Sequence, residues 1–281
     1  MRGVEFVEVR CKAALNRVQG MPFRWSVNPY VGCTHACHYC YARAYYAIAE
    51  RGDAGRDFET RIFVKVNLPE VLAQELARPA WRREAVALGT ATDCYQPAEA
   101  RYGLTRRVLG VLLDHRNGAS VVTKAPLVLR DLDLWSALAR VAPVRVLVTI
   151  TTLDPALWRQ VEPGTPAPRK RLEAVARLSA AGVPVGVLLA PVLPGLTDSA
   201  AAIEQVAAAA AAHGASYFGA GPLRLPPFVR EHYLAFLART RPELVAWYER
   251  QYVGTYPSRA YLTRLEERIA AARARYGFAT E

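Results

Sequence analysis

The sequence predicts an α/β fold, a partial (β/α)6 barrel of the TIM type with a helical C-terminal extension. Three observations carry this. Short, continuously apolar segments alternate with helical ones; about six such units are present; and residues 222–281 depart from the pattern. A first strand is expected just before Cys33. Ala42–Glu50 reads as a helix ended by Gly52, Arg61–Val66 (RIFVKV) alternates like a strand, and Pro69–Ala77 reads as a helix with proline in its first turn. The rhythm continues with a strand at Ala85–Ala91, a helix at Leu104–His115, a strand at Ser120–Thr123 and a helix around Leu132–Val141. It closes with strands at Val144–Thr151, Val183–Ala190 and Ser216–Ala220 and helices at Arg171–Ala181 and Ser199–His213. Strands apolar on both faces belong to a parallel sheet covered on both sides by helices. A doubly wound open sheet is the alternative, and in either arrangement the working loops lie beyond the C-terminal ends of the strands.

The tail has Pro222, Pro226, Pro227, Pro242 and Pro257 between helical stretches. Leu262, Leu265, Ile269, Ala272 and Tyr276 give its last helix one apolar stripe. The expected organisation is an N-terminal segment 1–23, a barrel 24–221 and an extension 222–281.

A chain of 281 residues, 52% of them hydrophobic, can bury a large core. Its five cysteines are an odd number, and three lie close together, which argues against a disulfide framework and for metal or catalysis in a reducing cytoplasm. The start, MRGVEFVEVRCK, has no apolar core of a signal peptide, and no run approaches the roughly 20 apolar residues of a membrane span. A cytoplasmic protein with no membrane partner is expected. Lys+Arg number 36 against 25 Asp+Glu, a net charge of +11 that admits an anionic partner such as nucleic acid. The charge is spread along the chain rather than gathered in a basic tail.

The segment NPYVGCTHACHYCYAR (28–43) is the most specific feature: Cys33, Cys37 and Cys40 in a C-x3-C-x2-C spacing. Zinc could take the three thiolates with His35 or His38, but common zinc modules pair two separated ligand knuckles, and here every candidate crowds into one loop. A disulfide leaves one cysteine over. Three thiolates on one loop suit an iron–sulfur cubane with one iron left open, and an open metal position is the mark of chemistry. The spacing favours the cluster over zinc.

With an aromatic residue immediately before the last cysteine, this spacing resembles the signature of radical S-adenosylmethionine (SAM) enzymes. TDCYQPAE (92–99), VVTKAPLVLRDLDL (121–134), TITTLDP (149–155), EPGTPAPRKRL (162–172) and VLLAPVLPGLTD (187–198) extend the resemblance, over about residues 24–225, to the spore photoproduct lyase-like branch. The resemblance implies a 4Fe-4S cluster held by Cys33, Cys37 and Cys40, and SAM bound at its open iron. It also implies reductive cleavage to a 5′-deoxyadenosyl radical that abstracts hydrogen from a substrate, and an electron donor such as flavodoxin or ferredoxin.

Residue by residue, the resemblance sets Thr92 and Asp93 against the SAM amino group and Lys124 against its carboxylate, with Arg171 as a further cation there. It gives the ribose a hydroxyl from Thr149 or Thr151, which alternation puts on one strand face. Ala190 and Val192, flanking Pro191, form the adenine wall. Tyr39, Tyr41 and Cys94 correspond to a hydrogen-atom relay, although Cys94 follows its Thr-Asp pair where the lyase's cysteine precedes the matching stretch. Two substrate classes are open. Nucleic acid, for repair or modification of DNA, is favoured by charge and by YERQYVGTYPSRAYLTR (248–264), with Arg259 and Arg264 as phosphate contacts. A peptide, protein or small metabolite is the other class. A metal-stabilised nucleic-acid-binding protein without SAM chemistry is the non-enzyme reading.

Overall fold

The computed structural model describes residues 3–49 and 51–279. Glu50, the expected end of the first helix, and the chain termini Met1, Arg2, Thr280 and Glu281 lie outside the described residues.

The strands and helices follow in order: β1 (Glu5–Val9), β2 (Asn16–Arg17), β3 (Trp25–Val27), β4 (Tyr30–Val31), α1 (Ala42–Ile48), α2 (Arg56–Thr60), β5 (Arg61–Lys65), α3 (Leu68–Leu76) and β6 (Val86–Leu88). Then come α4 (Pro97–Tyr102), α5 (Leu104–Asp114), β7 (Ala119–Thr123), a 3-10 turn (Pro126–Asp131), α6 (Leu132–Ala139), β8 (Val144–Thr149), α7 (Pro155–Val161) and α8 (Pro168–Ala180). The chain finishes with β9 (Val185–Val192), α9 (Ala200–Ala212), β10 (Tyr217–Pro222), α10 (Val229–Thr240), α11 (Pro242–Gln251) and α12 (Arg259–Arg275).

Six parallel strands form the main sheet in the order β10-β9-β8-β7-β6-β3, and β2 adds antiparallel to β3 at the edge. Val86 pairs with Ala119, Val121 with Val146, and Val148 with Val187, so valines sit side by side across the sheet. The sheet packs against the apolar stripes of the covering helices: Leu109 and Leu112 of α5, Trp135 and Leu138 of α6, Val175 and Leu178 of α8, and Val206 of α9. Each such fully buried side chain contributes about 1.5–3 kcal/mol of transfer free energy. The two outer strands do not pair with each other, so the barrel is open among the described residues.

Two expectations need correction. Arg61–Val66 is a strand, but β5 joins a separate three-stranded sheet with β1 and β4 rather than the barrel. In the extension, Tyr261 rather than Leu262 leads the buried stripe of α12, followed by Leu265, Ile269 and Ala272. That stripe packs on α9 and β10, where Arg273 Nε donates to Phe218 O at 2.8 Å.

Candidate functional site

The cysteine loop crosses the C-terminal end of the sheet and is held almost wholly by other segments. Gly32 has φ +87°, and a Cβ there would lie 2.9 Å from Arg61 O, so the entry to the loop requires glycine. Its carbonyl accepts from Thr92 Oγ1 at 2.7 Å and Gln96 Nε2 at 2.9 Å. Thr34 N donates to Gln96 Oε1 at 3.1 Å, and Cys33 N to Phe58 O at 2.9 Å. At the end of α7 Val161 O accepts from His38 N at 3.1 Å, and in the loop beyond it Gly164 N donates to His35 O at 3.1 Å. A Cβ on Gly164 would fall 2.2 Å from Thr34 O, so the two loops touch backbone to backbone. Arg43, fully buried, braces the far side by donating to Cys37 O at 3.0 Å, Ala54 O at 2.7 Å and Glu59 Oε1 at 2.5 Å.

All three motif cysteines are free thiols, Cys33 and Cys37 buried. Burial pushes the Cys37 thiol up to about 12 against the lowering field of Lys124. Burial and the charge of Asp93 raise Cys33 as well.

The strand ends supply the polar groups. Asp93, beyond β6, accepts from Tyr95 N and Thr123 Oγ1 on one oxygen, at 2.9 and 2.8 Å. Its other oxygen accepts from Lys124 N at 2.8 Å and faces His35 Nδ1 at 3.2 Å. Burial would raise its pKa, but His35 and these donors outweigh it and hold the carboxyl at about 2. Asp93 thus ties the cysteine loop to the end of β7. Lys124 follows β7 and stands over the Tyr39 ring, Nζ 5.6 Å from its centre. Burial opposes its charge, yet the fields of Cys37 and Glu162 raise its pKa overall, so the ammonium persists.

Sequence reasoning missed Glu162. Its buried carboxylate accepts from Tyr39 OH, from Thr151 Oγ1 at 2.5 Å and from Arg171 Nη2 at 2.5 Å. Burial acts to raise this carboxyl, but the charges of Arg171 and Lys124 and the two hydroxyls bring it to about 2. The only signal was a Glu-Pro pair opening the segment whose later arginine was noticed. Arg171 itself differs from expectation. Fully buried, it donates to Pro166 O at 2.8 Å, Thr149 O at 3.0 Å, Thr165 Oγ1 at 2.5 Å and Glu162, so each nitrogen is committed to the protein. It supports Glu162 rather than reaching toward a ligand.

Among the other candidates, Tyr41 is partly exposed and its OH donates to Thr90 O at 2.5 Å. Ala190 and Val192 end β9 beside β10. Cys94 lies fully buried in the main hydrophobic core, its Sγ close to Gly89 just beyond β6. The tail also differs. Tyr248, Tyr252 and Tyr261 are buried, Tyr252 OH bonding Leu223 O at 3.2 Å and Tyr261 OH bonding Asp198 at 3.0 Å, which leaves Tyr256 as the exposed tyrosine of that stretch. A contact no local pattern announces joins the cysteine loop to the extension: His38 Nδ1 lies 3.0 Å from His232 Nε2, and the His38 ring stacks on Phe236 with centroids 4.3 Å apart. Burial brings both imidazoles down to about 4, so they are neutral at pH 7.

Residues 27–210 match the model of the Radical SAM superfamily, and the chain belongs to that superfamily. It is a radical SAM enzyme. An uncharacterized protein of Mycobacterium tuberculosis is 44% identical over 284 residues, covering 99% of this chain and 82% of its own. Another, from Methanocaldococcus jannaschii, is 29% identical over 195 residues, 69% of this chain and 70% of its own. Among solved structures, a spore photoproduct lyase mutant with bound AdoMet and dinucleoside spore photoproduct superposes with a TM-score of 0.73 at 17% identity, covering 96% of this chain and 78% of that one. Streptococcus suis SuiB bound to precursor peptide SuiA does so with a TM-score of 0.51 at 11% identity, covering 99% of this chain and 48% of that one. Among the described residues no helix is long and apolar enough to cross a membrane.

Proposed function

We propose that the chain holds a 4Fe-4S cluster on Cys33, Cys37 and Cys40, binds SAM beside it, and acts on a nucleic acid. The observation that carries the reading is the set of three free thiols on one protein-braced loop at the strand ends, with a persistent ammonium next to them. The residues fit the group. Three free thiols on one loop, Cys33 and Cys37 buried, are the thiolate donor set that an iron–sulfur cluster takes. Their raised pKa values describe buried thiols that give up protons when metal arrives.

Bound together, cluster and SAM supply reductive cleavage to methionine and a 5′-deoxyadenosyl radical that removes hydrogen from substrate. The chain's own groups orient and enclose. Lys124 pairs with the SAM carboxylate as a point charge. Asp93 keeps the cysteine loop in register with β7. Glu162 fixes the Tyr39 and Thr151 hydroxyls, and Arg171 fixes Glu162. Thr92 bonds the loop's first carbonyl, while Ala190 and Val192 offer an apolar wall. Tyr41 stands nearest the exposed rim, where a hydrogen relay has use for a phenol. The net charge of +11 supports an anionic substrate. An electron donor such as flavodoxin or ferredoxin, and a cytoplasmic setting, go with this chemistry.

The test is anaerobic: reconstitute with iron and sulfide, add dithionite and SAM, and quantify 5′-deoxyadenosine, with Cys37→Ala as control. Product that disappears in the control supports the reading. Stoichiometric zinc, or a cluster that never cleaves SAM, would refute it.

A further inference from the structure

The exposed aromatic side chains are not scattered. Among the described residues, Tyr41, Tyr45, Phe228 and Tyr256 are the large aromatic ones standing out from the surface, at 39, 53, 42 and 47% exposure. Tyr41, Tyr45 and Tyr256 gather around one arginine. Tyr41 follows the last cysteine, and its ring meets Tyr45 edge-on at 6.0 Å on the first turn of α1. Phe228 and Tyr256 flank the segment leaving β10, the last parallel strand, so they share the strand-end side of the sheet with the cysteine loop. That arginine is Arg224. Its guanidinium carbon lies 5.4 Å from the Tyr256 ring centre, and its positive charge is felt at the Tyr41 hydroxyl. Its Nε is buried and has no hydrogen-bond partner. The segment is rigid: Leu225 N donates to Thr255 O at 2.8 Å and Tyr252 OH to Leu223 O at 3.2 Å, fixing Arg224 and Tyr256 to each other.

A buried donor without an acceptor is costly to keep unless something arrives to accept from it. A fixed cation between aromatic faces fits a chain that alternates anions with flat rings. We infer that this rim is the substrate platform, on which Arg224 takes a backbone phosphate of single-stranded nucleic acid while Tyr256 and Tyr45 stack neighbouring bases beside Tyr41. The inference rests on the nucleic-acid reading above and narrows it: the anchoring residues are these, rather than Arg259 and Arg264 of the last helix.

Anisotropy of a fluorescein-labelled single-stranded DNA oligonucleotide, titrated with cluster-reconstituted protein over a range of salt, tests it. Arg224→Gln is expected to weaken binding about tenfold and to lower the slope of log K against log salt by roughly 0.7, the share of one single-strand phosphate. Arg224→Lys keeps the slope but recovers only part of the affinity, because an ammonium does not lie flat on a ring. Tyr256→Ala weakens binding about tenfold with the slope unchanged. Arg177→Gln, on the outer last turn of α8, binds as wild type. Wild-type affinity in Arg224→Gln overturns the inference, and so does tighter binding of the matching duplex or of an acidic peptide. Strand binding that depends on Arg224, in a protein that forms no 5′-deoxyadenosine, would sink the radical SAM proposal and leave the platform standing. Release of 5′-deoxyadenosine by a protein that ignores the strand would do the reverse.

Discussion

Replacing Glu162 by glutamine removes one charge and almost no volume, and it tests the network that Glu162 centres. Its carboxylate takes the Arg171 guanidinium at 2.5 Å and the Thr151 hydroxyl at 2.5 Å, in a place closed to water. A carboxyl brought from 4.5 to about 2 contributes about 3 kcal/mol at neutral pH. Removing one partner of a buried pair typically costs about 3–5 kcal/mol, because the other charge is stranded. At about 2–4 °C per kcal/mol for a chain near this size, Glu162→Gln should lower the melting temperature by roughly 6–20 °C at pH 7. The sign of the pH dependence follows from the depressed pKa. The stabilisation is full above about 4.5 and is lost as pH falls toward 2, so wild type and variant should converge in acid. Thermal melts of iron-free protein by circular dichroism, from neutral to acid pH, read both. Adding Arg171→Met to Glu162→Gln should recover part of the loss by removing the stranded cation. A single variant melting within about 2 °C of wild type, or a gap that does not narrow in acid, would refute the argument.

The other expectations concern the site's remaining parts. Lys124→Ala should weaken SAM binding about 10- to 100-fold with iron content unchanged, measured by equilibrium dialysis of the reconstituted protein; unaltered affinity would remove Lys124 from the carboxylate contact. Gly164→Ala should force its loop off Thr34 O, lowering stability by about 1–3 kcal/mol together with iron uptake per chain. Cys94→Ala should shift the melting temperature down while 5′-deoxyadenosine still forms; loss of product with the cluster intact would return Cys94 to the chemistry.

The barrel was legible because strands buried on both faces are apolar in long runs, and Val146–Val148 and Val185–Val192 have no other reason to be. The same signal misled at Arg61–Lys65: Ile62 and Val64 are fully buried, but periodicity does not say against which sheet, and β5 pairs with β1 and β4. The motif cysteines announce themselves by spacing, since a loop-bound metal needs ligands close in sequence. Glu162 does not, because its partners Tyr39, Thr151 and Arg171 meet only after β8, α7 and α8 have packed. The tail shows the converse failure. Tyrosines interleaved with arginines read alike whether the rings face water or core, and Tyr248, Tyr252 and Tyr261 face the core. Arg224 carried no local signal, being an arginine among prolines whose significance is the acceptor it lacks.

The bracing of the cysteine loop bears on how the enzyme is made. Gly32 O, Thr34 N, His35 O and His38 N are claimed by backbone or side chains from distant segments, and Cys37 O by Arg43 of the helix that follows. In small zinc modules the metal is what folds the chain. Here those contacts come from the polypeptide itself. On the proposed reading, iron and sulfide would meet a loop that protein contacts already shape, and loss of the cluster should leave a folded apoprotein, which circular dichroism before and after iron removal would check.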